Sequence, residues 1–160
     1  MIDNLERAVA PFTPEAVAPR VGIENSVVYF LLGDAPQEAR LLRQALQGPG
    51  RCLLLDLHNL YTMAQNTGLC PDAYLDALDL SQVVEIHLSG GRDSQAAWLA
   101  SGRVLRLDSH DDAVPEPVWR LFSQVLPRCP GLRGVTLERM EGTVTQADVP
   151  RLREELQRAK

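Results

Sequence analysis

Residues 52–57 read CLLLDL, a continuously apolar run with one aspartate near its end. Because its apolar residues do not alternate with polar ones, the run predicts a β-strand buried on both faces, as in a parallel sheet. Four other short runs have the same character, and they cover residues 20–25, 83–88, 103–110 and 134–139. The sequence therefore predicts about five parallel strands.

Segments with helical periodicity separate most of these runs. Ala39, Leu42 and Leu46, for example, recur at the spacing of one helix face. Helices are predicted over residues 3–10, 36–47, 71–80, 115–129 and 148–160. Residues 61–68, YTMAQNTG, are predicted as a long loop because asparagine and glycine suit unusual backbone angles. Alternation of strand and helix implies right-handed parallel crossovers and an α/β fold.

The spacing of the strand ends narrows this fold class. Glu24, Asp56 and His87 are separated by 32 and 31 residues, each close to one βα unit. Only 21 residues separate His87 from Asp108, which leaves room for a loop or a short helix around residues 96–100. A (β/α)₈ barrel usually needs about 250 residues. The 160 residues therefore predict a single domain, either an open doubly wound sheet or a partial (β/α) TIM-barrel-like fold.

Composition excludes several functional classes. The chain carries 16 Lys and Arg against 21 Asp and Glu, a net charge of -5, and has no basic run, so nucleic acid and anionic membranes are not expected partners. The first residues lack the apolar core of a signal peptide, and no stretch is apolar enough to span a membrane. The three cysteines lack a C-x-x-C spacing. We therefore expect a cytoplasmic protein with small-molecule or protein partners.

Each predicted strand ends in a side chain that can bind a metal ion or transfer a proton. The carboxyl ends of parallel strands form the face where active sites of such folds lie. Carboxylates and imidazoles without thiolates suit iron, manganese, magnesium or zinc, and several carboxylates can bridge two cations. The predicted metal ligands are Glu24, Asp56, His87, Asp108, His110 and Glu138.

Further polar residues follow the same strand ends, and each has an ordinary structural alternative. On a continuing strand His58 would share the face of Asp56, but it could equally cap a loop. Asn59 and Asn66 could bind a ligand or only shape the loop after Asp56. Arg139 could steady a carboxylate, contact an anionic substrate or form a surface salt bridge. The additional candidates are His58, Asn59, Asn66, Asp111 and Arg139.

Four segments together resemble a known family: LLLDLHNLYTMAQNTG, VVEIHLSGG, LRLDSHDDAVPEPVW and VTLERM. They are similar to the multinuclear non-haem iron oxidative enzymes, which have a xylose-isomerase-like TIM barrel and modify ribosomally made peptides, commonly with a partner protein. The resemblance implies two or more iron ions, with manganese or zinc as alternatives. By position it implies the same six metal ligands that the strand ends predict.

The sequence also departs from the family pattern. Many members have asparagine at the position of His58, and histidine at the positions of Thr67 and Gly91. Members usually begin with additional βα units, so residues 1–160 correspond to the C-terminal part of a barrel. Another chain could supply the missing strands, the sheet could close through self-association, or the chain could be a fragment or a degenerate relative of the family.

Three functions therefore stand side by side. The first is an iron-dependent oxidative enzyme, or its ligand-bearing portion, that acts on a peptide. The second is a xylose-isomerase-like metal-dependent isomerase or hydrolase. The third is a truncated, non-catalytic binding subunit, so the sequence leaves open whether the chain is an enzyme.

Overall fold

A parallel sheet of four strands organises the chain in the computed structural model, which describes residues 7, 21–30, 33 and 36–160. The strand order follows the sequence, and every neighbouring pair is parallel. The strands are β1 (Val21–Glu24), β2 (Arg51–Asp56), β3 (Val83–Leu88) and β4 (Gly134–Leu137). The predicted α/β class is confirmed, and the arrangement is consistent with part of a TIM-like barrel.

Five α-helices accompany the sheet in the described part of the chain. They are α1 (Gln37–Ala45), α2 (Leu57–Thr67), α3 (Pro71–Ala77), α4 (Glu116–Val125) and α5 (Val149–Arg158). Four of them confirm predicted helices, and the loop or short helix expected around residues 96–100 is a 3₁₀ helix over Ala96–Trp98. The helix predicted for residues 3–10 lies outside the described residues, apart from residue 7. None of the described helices has both the length and the apolarity needed to cross a membrane.

The loop predicted for residues 61–68 is wrong, because these residues lie in α2 or directly after it. The Asp56 side chain accepts a hydrogen bond from the Asn59 backbone N–H at 2.7 Å, and so caps the helix at the last residue of β2. Leu60 and Met63 are fully buried on the inner face of α2. Gly68, with φ of 76°, ends the helix in the left-handed conformation. Burial of the apolar face thus outweighs the asparagine-rich composition.

The strand predicted for residues 103–110 is also wrong. β3 pairs directly with β4, with His87 opposite Thr136, so this sheet has no position between them. The segment instead runs extended and makes one antiparallel bridge, between Asp93 and Arg106. Within the described residues the sheet therefore has four strands rather than the expected five.

A side chain on α2 takes the place of a strand partner for this segment. Asn66 is buried, its Nδ2 donates to the Arg106 carbonyl at 2.8 Å, and its Oδ1 accepts from the Arg106 N–H at 2.9 Å. The Asn66 carbonyl also accepts a hydrogen bond from the Arg103 guanidinium. Asn66 thereby fixes the segment that leads to Asp108.

We expect Asn66→Ala to lower the free energy of unfolding by about 1–3 kcal/mol, because it leaves a partly buried backbone N–H and C=O unpaired. Urea denaturation followed by circular dichroism measures the change. Gln65→Ala is the matched control, since Gln65 is the exposed neighbour on the same helix. Equal midpoints for the two variants would contradict this role of Asn66.

The hydrophobic core lies on one face of the two central strands. Leu53, Leu55 and Ile86 are fully buried on this face, and they join one cluster with residues of α1 to α4. On the opposite face Leu54 and Glu85 are only partly buried. β1 and β4 are also only partly buried, and they form the edges of the sheet within the described residues. The continuous apolar runs thus predicted the strands of the sheet, but the expected burial of both faces is wrong within the described residues.

Candidate metal centre

Asp56 occupies the centre of the polar cluster at the carboxyl ends of the strands. It is fully buried, and its Oδ1 caps α2, whereas its Oδ2 has no hydrogen-bond partner. Two asparagines hold its backbone and surroundings: Asn25 donates to the Asp56 carbonyl and accepts from its N–H, and Asn59 donates to the Asn25 carbonyl. One carboxylate oxygen is thus presented, without a partner, in a fixed position.

His87, at the same level of the sheet as Asp56, lies among carboxylates from three strands. Its Nδ1 is 2.9 Å from Glu138 Oε1 and 3.9 Å from Glu24 Oε1, and its Nε2 is 3.2 Å from Glu85 Oε1. The Nδ1 contact with Glu138 lacks hydrogen-bond geometry. Nδ1 of His87 therefore faces the cluster, and its lone pair or proton has no hydrogen-bond partner.

The extended segment after β3 supplies a second imidazole. His110 Nε2 lies 2.8 Å from Asp108 Oδ1, and its Nδ1 lies 3.4 Å from Glu138 Oε2. The same Asp108 oxygen contacts Nδ1 of the fully buried His58 at 2.9 Å. His110 has a φ of 53°, a conformation that non-glycine residues rarely adopt. Such strain is concentrated at functional sites, where the surrounding structure holds it.

Five of the six predicted ligands form two triads that share Asp56. Glu24, Asp56 and His87 form the first, and Asp56, His110 and Glu138 form the second. Within each triad the ligand atoms lie within 4.8 Å of one another. A pair of cations could therefore lie on either side of one buried carboxylate, an arrangement known in two-metal sites.

The electrostatics of the cluster favour a bound cation. Burial, with added repulsion from Asp108, Glu138 and Glu24, raises the pKa of Asp56 to about 7. Burial also raises the pKa of Glu24, helped by the neighbouring carboxylates and opposed by His87. A metal ion would remove the penalty of ionising these groups together. Asp56 Oδ2 and His58 Nε2 have no hydrogen-bond partner, and a carboxylate oxygen and an imidazole nitrogen are ligands that suit iron, manganese or zinc.

Asp108 differs from the other five predicted ligands in its surroundings. Burial opposes its ionisation, but hydrogen bonds from His110 and His58 outweigh burial and hold its pKa well below the usual range. The hydrogen bond to Asp108 in turn raises the pKa of His110. Asp108 belongs to neither triad and orients both imidazoles, so its role as a direct ligand stays a prediction.

The additional candidates lie at different distances from this centre. His58 and Asn59 belong to it, through Asp108 and Asn25 respectively. Asn66 fixes the extended segment, and Asp111 accepts from Ser109 and pairs with Arg92. Arg139 points away, because its guanidinium donates to the buried Glu155 of α5 at 3.0 Å. Arg139 therefore does steady a carboxylate, but that carboxylate is Glu155 and not one of the predicted metal ligands.

Two further residues of the site are not among the predicted ligands, although their sequence positions place both beside those ligands. Asn25 directly follows the end of β1, where a side chain can reach the next strand end. Glu85 precedes His87 by two residues, and residues two apart on a strand share a face. Both contact predicted ligands, Asn25 at Asp56 and Glu85 at His87.

Relatives of known sequence match most of the chain. A UPF0276 protein of Paraburkholderia phytofirmans is 35% identical over 115 residues, which is 71% of this chain and 36% of that protein. One of Caulobacter vibrioides is 36% identical over 126 residues, 78% of this chain and 43% of the relative. One of Rhizobium meliloti is 33% identical over 116 residues, 72% and 37% of the two chains. The chain thus spans less than half the length of these relatives.

A family model also matches nearly the whole chain, over residues 8–160, and it describes RiPP precursor modification enzymes of the MbnB/TglH/ChrH type. The match includes all four strands and every residue of the two triads. It confirms the family resemblance that the four sequence segments indicate. The chain belongs to the MbnB/TglH/ChrH family of RiPP precursor modification enzymes.

Proposed function

We propose that this chain is the ligand-bearing portion of a multinuclear non-haem iron enzyme that oxidatively modifies a precursor peptide. The observation that carries the proposal is the pair of triads that share the buried Asp56. All three histidines of the chain lie in or beside these triads, although the chain has 160 residues over which to scatter them. Such convergence of imidazoles and carboxylates is typical of a metal centre.

Different side chains would hold the two cations. Glu24 and His87 would hold one, His110 and Glu138 the other, and Asp56 would lie between the two. Iron bound there would supply one-electron redox chemistry with dioxygen, which protein side chains do not provide. Asn25 and Asn59 keep the shared carboxylate in place, and burial restricts access of water to it.

Asp108 and His58 lie outside the second triad and support its residue His110. The Asp108 carboxylate accepts from Nε2 of His110, which leaves Nδ1 of His110 directed toward Glu138 and the cluster. Because His58 is buried and contacts the same oxygen, Asp108 cannot turn away without leaving the His58 Nδ1 unpaired. The pair thereby holds the imidazole of His110 in a defined orientation.

A peptide substrate is supported by the family description and by exposed apolar side chains. Phe30, Trp98 and Met140 come after β1, β3 and β4 in the sequence, and their exposed fractions are 71%, 61% and 52%. Large apolar side chains that stay exposed suit the binding of a polypeptide. Because the matched region covers less than half of the relatives' length, the remaining strands of the barrel, from another chain or a second copy, belong to the proposal as well.

The metal content of the purified protein tests this function. After anaerobic purification and reconstitution with ferrous iron, we expect two tightly bound ions per chain by mass spectrometry, one for each triad. Glu24→Gln and Glu138→Gln should each lose about one ion, because each removes a ligand from a different triad. Asp76→Asn is the matched control, since Asp76 is 70% exposed and pairs with Arg128.

Two other outcomes separate the alternatives. Two ions of zinc or manganese, with no change of visible absorption on exposure to oxygen, would favour a redox-inert isomerase or hydrolase instead. If the wild-type chain binds no ion, either alone or as an oligomer, the iron proposal is wrong. The interpretation as a non-catalytic binding subunit would then remain.

A further inference from the structure

Glu85 lies beside the first triad and contacts its imidazole from the side opposite the cluster. Glu85 and His87 are two residues apart on β3, so their side chains share a face. Glu85 Oε1 is 3.2 Å from His87 Nε2, and the same oxygen accepts a hydrogen bond from Thr136 Oγ1 at 2.6 Å. Thr136 is opposite His87 on β4. The neighbouring strand thereby fixes the carboxylate that contacts the imidazole.

The two nitrogens of His87 consequently have different environments. Nε2 contacts Glu85, whereas Nδ1 lies near Glu138 and Glu24 and belongs to the cluster. A carboxylate accepts a proton but does not donate one, so Glu85 favours the tautomer with hydrogen on Nε2. That tautomer leaves the Nδ1 lone pair directed at the shared site.

We propose that Glu85 is a positioning residue that selects the tautomer and orientation of His87, with Thr136 holding Glu85 in place. The proposal rests on the proposed function, because it assigns Nδ1 of His87 as the ligand atom of the first cation. Imidazoles that bind metals commonly donate their other N–H to a carboxylate, which fixes the ring and raises its basicity. Glu85 supplies that carboxylate here.

A structural role alone would have a different signature. The Glu85 side chain is 41% exposed, and hydrogen bonds at such positions contribute little to the free energy of unfolding. A merely structural Glu85 would therefore leave both the tautomer of His87 and the metal affinity unchanged when it is replaced. A positioning residue changes both, while the fold stays intact.

The tautomer can be measured by long-range ¹H–¹⁵N NMR on the metal-free protein, at a pH about two units above the ordinary imidazole pKa of about 6.5. The chain has only three histidines, and a His87→Gln variant identifies the signals of His87. We expect a protonated Nε2 and an unprotonated Nδ1 in the wild type. Glu85→Ala should give a mixture of the two tautomers, and Glu85→Gln, whose carbonyl still accepts, should restore the wild-type pattern.

Zinc titration of the same variants gives a second measurement. We expect Glu85→Ala to weaken zinc binding about tenfold, the lower end of the effect of losing an outer partner, because Glu85 is partly exposed. Glu85→Gln should recover most of the affinity, and the near-isosteric Thr136→Val should weaken binding by less than Glu85→Ala. Glu141→Ala, which removes an exposed glutamate after β4, is the control and should bind zinc as the wild type does.

The two proposals fail separately. If the wild type binds no zinc, the proposed metal centre fails, and the NMR result on the metal-free protein still decides the role of Glu85. If the wild type binds zinc but neither Glu85→Ala nor Thr136→Val changes the tautomer of His87, the positioning role is overturned.

Discussion

Replacement of Asp56 by asparagine is expected to remove both bound metal ions while the chain still folds. Asp56 is the only residue that belongs to both triads, so its loss affects the two cation positions together. An amide is a neutral and much weaker ligand than a carboxylate, and it cannot offset repulsion between two cations. The loss of affinity should exceed the 10–100-fold that removal of an outer partner typically causes.

The Asp56→Asn variant also distinguishes a loss of metal binding from a loss of the folded structure. Its side-chain oxygen can still accept from the Asn59 N–H, so α2 keeps its cap. In the wild type the folded-state pKa of Asp56 is raised to about 7, above the value of about 3.9 in an unfolded chain. The contribution of this group to stability is therefore full below pH about 4 and is lost as the pH rises toward 7.

The metal-free variant should accordingly be at least as stable as the metal-free wild type at a pH above 7, because asparagine carries no such penalty. Metal content and urea denaturation of both proteins, with and without a chelator, measure the two effects. The variant should show no stabilisation by added metal, whereas the wild type should. An Asp56→Asn protein that keeps both ions would refute the shared-carboxylate arrangement.

The strand predictions were correct where the continuous apolar run packs in the hydrophobic core. β2 and β3 pack one face in the core, and the runs that predicted them have nearly the right ends. The same reasoning failed for residues 103–110, because apolar composition does not reveal that β3 and β4 pair directly. Pairing of strands is a long-range property, and the partner of that segment is the side chain of Asn66, 40 residues earlier.

The site was predictable to the extent that it depends on strand ends. Parallel strands bring their carboxyl ends to one edge, and Glu24, Asp56, His87 and Glu138 do meet there. What Asp108 contacts could not be predicted, because its neighbours are set by the path of an extended segment and by α2, which was expected to be a loop. His58 contacts Asp108 from the first turn of that helix rather than from a continuing strand.

The extended segment also explains a second large expected effect, that of Gly90→Ala. Gly90 follows β3, and a Cβ added to it would overlap the backbone carbonyl oxygens of Ala113 and Asp112. Gly91 beside it has the same close approach to the Leu107 carbonyl. Backbone cannot move aside as a flexible side chain can, so the segment that carries Asp108 and His110 would have to shift.

We therefore expect Gly90→Ala to lower the free energy of unfolding by about 3 kcal/mol or more, as overpacking against backbone does. It should also weaken metal binding in the second triad, because His110 moves with the segment, while the first triad keeps its ligands. Gly134→Ala is the matched control: an added Cβ there meets nothing within 4 Å, and alanine lowers the entropy of the unfolded chain. Urea denaturation and metal content, measured on both variants, test the expected losses of stability and of metal binding. Equal stability of the two would mean that the backbone at residues 107–113 does not lie against Gly90, and that the placement of His110 does not depend on this contact.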